Sequence, residues 1–192
     1  MLAKVLEEFG TVFHIHSRRP PHVLTLPDRR WFRGEWFGKD TNVPKSSVVI
    51  YLFRDPVTAM LSRFSDGHLI NIQVPLACHI ARGGIASYSE TLVKLSEFHQ
   101  NYITRDPRRE YPIICVNYHK LWSQREVVCR SLGIPEETPF PRYYHRSAYE
   151  IVRSNPKLLV APNQNEEVVN RLTRVYADMQ HAILTAPAVT LT

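Results

Sequence analysis

The stretch Val48 to Phe64, VVIYLFRDPVTAMLSRF, constrains the fold more than any other part of the chain. The residues before Arg54 are branched, aliphatic or aromatic, and none is charged. Such a run suits a strand buried on both faces of a parallel sheet. Asp55-Pro56 then ends the strand, and proline suits the first turn of a helix. The spacing predicts a helix over Pro56 to Phe64, which places Ser62 two turns after Arg54. An arginine at a strand's carboxyl end and a serine in the following helix can converge on one phosphate. The guanidinium offers a two-pronged charged donor and the hydroxyl a compact one. The same residues also read as an ordinary strand–turn–helix unit, with Arg54 ion-paired and Ser62 solvated.

The size of the chain, 192 residues, fits a single domain over 1–192 with one sizeable core. A hydrophobic fraction of 44% and a charged fraction of 22% are ordinary for a globular protein. No apolar run is long enough for a transmembrane helix. The start, MLAKVLEEFG, is too acidic and too weakly apolar for a secretory signal. Cys78, Cys115 and Cys129 are widely spaced and form no CxxC pair, so a reducing, cytoplasmic compartment is expected. Cys115 lies in an apolar segment and reads as a small core residue. A net charge of +6 and a pI near 9.4 point weakly to an anionic partner. The arginines bunch at Arg18-Arg19, at Arg29-Arg30-Arg33 and at Arg105-Arg108-Arg109. No zinc-finger, RNP or basic-helix pattern accompanies them, which leaves nucleic acid the lesser partner class.

Along the chain, Leu2, Val5, Leu6 and Phe9 form one face of a helix that Gly10 stops. Thr11 to His16 (TVFHIH) reads as a strand, and the proline-rich Arg18 to Arg33 as a loop. Gly67 to Ala86 has no clean period. Ser87 to Ile103 reads as a helix with a Ser87/Glu90 capping box and a stripe of Tyr88, Leu92, Leu95 and Tyr102. Tyr111 to Tyr118 (YPIICVNY) is the third predicted strand, and Ser123 to Leu132 a helix stopped by Gly133. Residues 134 to 148 read as loop. Glu166 to Leu184 reads as one long helix capped by Asn165, with Val168, Leu172, Val175, Tyr176, Met179 and Ile183 inward. Strands alternating with helices imply βαβ units and a mostly parallel sheet, whose ligands bind beyond the carboxyl ends of the strands. His16, Arg54 and Tyr118 all fall at such ends.

The strand–Arg54–Ser62–helix layout resembles the 3′-phosphate-binding segment of sulfotransferases, which use the sulfate donor PAPS. NYHKLW, followed by a helix ending in SLGIPEE, is similar to that family's strand ending in Tyr-x-x-Leu and helix closing with Leu-Gly-x-Pro. The resemblance implies an α/β three-layer sandwich of the P-loop NTPase-like kind, with PAPS as donor and a hydroxyl or amine as acceptor. It implies that Arg54 and Ser62 bind the 3′-phosphate and that Tyr118 packs near the adenine; a core aromatic is the other reading of Tyr118. His119 falls where many relatives have an acidic residue. The family's Gly-rich P-K-S-G-T-T loop has no match, and neither does G-x-x-x-x-G-K-[ST]. The expectation is therefore a divergent member whose N-terminal strand and phosphate loop are missing, a shortened form or a natural variant. A non-catalytic nucleotide- or protein-binding relative is the alternative.

Sulfuryl transfer needs a base for the acceptor's proton, and histidine suits that near neutral pH. His14 and His16 share one strand face, and His16 at the strand tip, near Arg18, is the candidate catalytic base. A hydrogen-bonded structural histidine is the competing reading. Two histidines without a third ligand do not make a metal site, so none is expected. His68 and His79 are minor candidates. Trp31, Phe32, Trp36 and Phe37 could line an acceptor pocket or cover the sheet edge. Asp55 reads as the cap of the helix begun by Pro56.

Overall fold

A computed structural model describes residues 2–12, 19–25, 42–65, 94–140, 147, 148, 150 and 165–192. His14, His16, Arg18, His68, Cys78, His79, the aromatics from Trp31 to Phe37 and the Ser87/Glu90 box lie outside the described residues. The elements are α1 (Leu2–Leu6), β1 (Val49–Phe53), α2 (Pro56–Ser65), α3 (Leu95–Ile103), β2 (Ile113–Asn117), α4 (Arg125–Leu132), α5 (Asn165–Val175), α6 (Ala177–Thr185) and β3 (Val189–Leu191). They group into two compact units.

The first unit holds α1, β1, most of α3, β2, α4 and β3. Its sheet has the order β1-β2-β3. β1 runs parallel to β2, with Val49 opposite Ile113 and Phe53 opposite Asn117. β3 runs antiparallel to β2, with Ile114 opposite Leu191 and Val116 opposite Val189. The ladder extends at both ends: Asn117 N donates to Ala188 O at 2.8 Å, and Ile113 and Thr192 exchange two backbone bonds. Alternation along the strands assigns the two faces. Ile114 and Val116 pack with Leu2, Leu121, Val128 and Ala188, beneath α1 and α4. The other face meets α3, where Tyr51 stacks on Tyr102 at 4.6 Å between ring centroids and the Cys115 thiol donates to Tyr102 O. Every residue of β2 is buried, as a strand covered on both faces must be. Each fully buried aliphatic of this core contributes about 1.5–3 kcal/mol.

The second unit holds α2, α5 and α6. Val57, Met60 and Leu61, at helical spacing, form the buried face of α2. α2 packs against both α5 and α6, whose buried residues are Val169, Leu172 and Ile183, with Tyr176 between the two helices.

Several expectations hold and others need correction. The strand within Val48 to Phe53, its helix, the parallel pairing with the strand inside Tyr111 to Tyr118, and the Gly133 stop are as read from the sequence, but β1 is not buried on both faces: Leu52 is exposed. Cys115 is a buried free thiol. Residues 11 and 12 lie in no strand, and the rest of Thr11 to His16 is outside the described residues. Among the described residues the third strand is Val189–Leu191, which the sequence reading did not foresee, and its antiparallel direction makes their sheet mixed. α1 ends at Leu6, and Phe9 is 48% exposed rather than part of the core face. The helix expected over Ser87 to Ile103 is not continuous: Lys94 has φ 51°, a left-handed conformation that a continuous helix excludes, the described helix is Leu95–Ile103, and residues 87–93 lie outside the described residues. The long C-terminal helix is broken at Tyr176, where φ −107° and ψ 15° leave the helical region. The break changes which residues face inward. Val169 is buried, whereas Val175 is 47% exposed.

Candidate functional site

The turn between β1 and α2 carries the residues singled out in the sequence. Arg54 is the first residue after β1 and is half-buried. Asp55 is the N-cap of α2. Its Oδ2 accepts the backbone N–H of Thr58 at 2.7 Å, and the Thr58 hydroxyl donates to Asp55 O at 3.2 Å. Asp55 is 5% exposed, and its Oδ1 accepts from Nε2 of Gln180 at 2.6 Å. The carboxylate thus occupies the positive end of α2. At this helix start Pro56 has no N–H to offer an anion, and the Thr58 amide is engaged. Ser62 lies within α2, as expected, about 9 Å along the axis from Pro56. Its side chain is outside the described residues. Arg54, Ser62 and Gln180 belong to the second unit.

Tyr118 is the first residue after β2, in the first unit. It opens a single 3₁₀ turn, Tyr118–Lys120, because the fully buried Asn117 side chain accepts the His119 N–H at 3.1 Å. Its ring stands edge-on to Trp122 at 5.0 Å and edge-on to His119 at 6.4 Å. It is half-buried, intermediate between a core aromatic and a surface one. Phe53 opposite Asn117 means that Arg54 and Tyr118 each follow the last paired residue of parallel neighbouring strands.

Of the basic clusters, Arg18 and Arg29-Arg30-Arg33 lie outside the described residues. Arg19 bonds Glu97 at 2.8 Å on the surface. Arg108 grips Asp106 with Nε and Nη2, each at 3.0 Å, and this holds the Asp106 carboxyl down at about 2. Arg109 donates to Thr104 O and to the Thr192 hydroxyl. Residues Arg105 to Arg109 therefore form a locally paired loop. His16, the candidate base, lies outside the described residues. No cluster of three or more metal-ligating side chains occurs among the described residues, and none of their helices is long and apolar enough to cross a membrane.

Two polar groups escaped sequence reasoning. His99, on α3, is 6% exposed, and its Nδ1 shares a hydrogen bond with the Tyr51 hydroxyl at 3.1 Å. Burial lowers its pKa to about 4 and raises that of Tyr51. The apolar spacing of Leu95 and Tyr102 marks that face of α3, and His99 lies on it one turn after Leu95, a signal that was there to be read. Gln180 had no such signal, because its partner lies 125 residues away. No family model matches this chain, and neither a curated protein nor a solved structure matches it.

Proposed function

We propose that this chain is a sulfotransferase-like α/β protein that binds the 3′-phosphate of PAPS, or of its by-product PAP, through Arg54 and Ser62. One observation carries the reading: a strand paired in parallel with the buried β2 runs directly into Arg54 and a helix containing Ser62. In α/β proteins this carboxyl end is where ligands bind. Helices against both faces of β2 support a three-layer arrangement of the P-loop-like kind. Tyr118 as the adenine neighbour and His16 as the base enter from their sequence positions alone. The reaction would be transfer of a sulfuryl group from PAPS to an acceptor hydroxyl or amine.

Calorimetry with PAP on wild type and on Arg54→Ala tests the reading. Loss of a charge-assisted bidentate contact weakens binding by about 1.5–3 kcal/mol. Equal affinities would remove Arg54 from the site. A second reading, a non-catalytic nucleotide- or protein-binding relative, is favoured by the absence of a Gly-rich phosphate loop from the sequence. Wild type that fails to bind PAP would leave only the protein-binding form of that reading.

A further inference from the structure

We infer that Gln180 is a positioning residue for the Arg54 turn, acting through the buried carboxylate of Asp55. The inference rests on the nucleotide-binding reading above. A capping aspartate needs only one oxygen for its helix. Here Oδ2 takes the Thr58 amide at 2.7 Å, while Oδ1 takes a second donor, Gln180 Nε2, at 2.6 Å. Two donors on opposite oxygens fix the plane of the carboxylate as well as its position. Asp55 and Arg54 are joined by one planar peptide, so fixing the first restricts the direction in which the second leaves the strand. That direction matters because Asp55 already occupies the N-terminus of α2. The affinity of this turn for an anion then depends on where the guanidinium points.

Gln180 is well placed to hold such a bond. Its backbone N–H donates to Tyr176 O at 2.8 Å, and Tyr176 is 1% exposed, so the base of the glutamine is anchored at the break between α5 and α6. An amide also suits the task chemically. It satisfies the second oxygen without cancelling the charge that stabilises the start of α2.

The test is PAP calorimetry on wild type, Gln180→Ala, Gln180→Glu and Ala182→Glu, with thermal unfolding of each. Ala182 is exposed on the same helix and uncharged at every pH, so its substitution adds the same charge without the Gln180 bond to Asp55. Gln180→Ala is expected to weaken PAP binding roughly tenfold, a loss of the size that removing an outer-shell partner brings. Gln180→Glu is expected to weaken it further at pH 8. Its deficit relative to wild type should shrink toward pH 5.5, as two facing carboxylates come to share a proton. Ala182→Glu should show neither effect. Wild-type affinity in both Gln180 variants, or a Gln180→Glu deficit that ignores pH, would overturn the positioning role while leaving Arg54-dependent PAP binding intact. Wild type that does not bind PAP would overturn the nucleotide-binding reading, and this inference with it.

Discussion

His99 is the residue whose chemistry the fold alters most visibly. It sits among Tyr51, Phe53, Phe98 and Tyr102, with Phe53 edge-on at 5.3 Å and Tyr51 hydrogen-bonded to Nδ1. A neutral imidazole fits this setting and an imidazolium does not. Burial lowers its pKa to about 4 in the folded chain, against about 6.5 for an ordinary imidazole in the unfolded one. Between those values the unfolded chain binds the extra proton, so stability falls as pH drops. The stabilisation is complete above about pH 6.5 and gone below about pH 4, and it is on the order of 3 kcal/mol. Urea unfolding of wild type across that window should show the loss. His99→Gln, which offers the Tyr51 hydroxyl an acceptor but cannot charge, should flatten the profile. Parallel profiles for the two proteins would move the acid sensitivity elsewhere. Legibility at this scale followed locality. Asp55 was readable as a cap because its partner Thr58 is three residues away. Gln180 was not, because only the packed helices bring it to Asp55.

Among the elements, those with their own start and stop signals were legible. β1 and α2 share a junction, Asp55-Pro56, that local chemistry dictates. α4 ends in a left-handed Gly133 at φ 69°, whose N–H bonds Arg130 O, while Ile134 N bonds Cys129 O at 3.0 Å. This pair of bonds is a Schellman closure. A Cβ added at Gly133 would meet nothing within 4 Å. Gly133→Ala should therefore cost about 1 kcal/mol from backbone conformation alone. A lower urea midpoint with an unchanged slope is the expected result, and an unchanged midpoint would contradict it. The elements that escaped notice lack such signals. Lys94 and Tyr176 are poor markers of a helix boundary, since lysine is a good helix former and Tyr176 is a core aromatic. β3 is three residues long, too short for alternation to register.

For the whole molecule, the α/β class followed from strands alternating with helices, while the mixed direction of the sheet did not. No local pattern tells a three-residue segment which way to run beside β2. The candidate site divides in the same way, since the turn at Arg54 could be read from contiguous residues and its support could not. On the proposed reading, catalysis is a property of the whole chain. Sulfuryl transfer loads charge on the bridging oxygen of the donor, and removing even one preorganised donor at such a position costs about 10²–10³ in rate. A chain without a Gly-rich phosphate loop is expected to bind PAP yet show no transfer of labelled sulfate from PAPS to a panel of hydroxyl and amine acceptors. Robust turnover by these 192 residues would refute that mechanism.

The central strand has two neighbours that arrive at very different times. β1 precedes β2 and β3 follows it, each by roughly 60–80 residues, so closing either loop costs on the order of 4 kcal/mol of chain entropy before any pairing repays it. Synthesis proceeds from the N-terminus, and β2 can meet β1 long before Val189–Leu191 has left the ribosome. Until then the outer edge of a wholly apolar strand, IICV, presents unpaired amides and carbonyls to whatever is nearby. The nascent chain is most prone to association in that interval, and the pairing of Val189–Leu191 with β2 ends it.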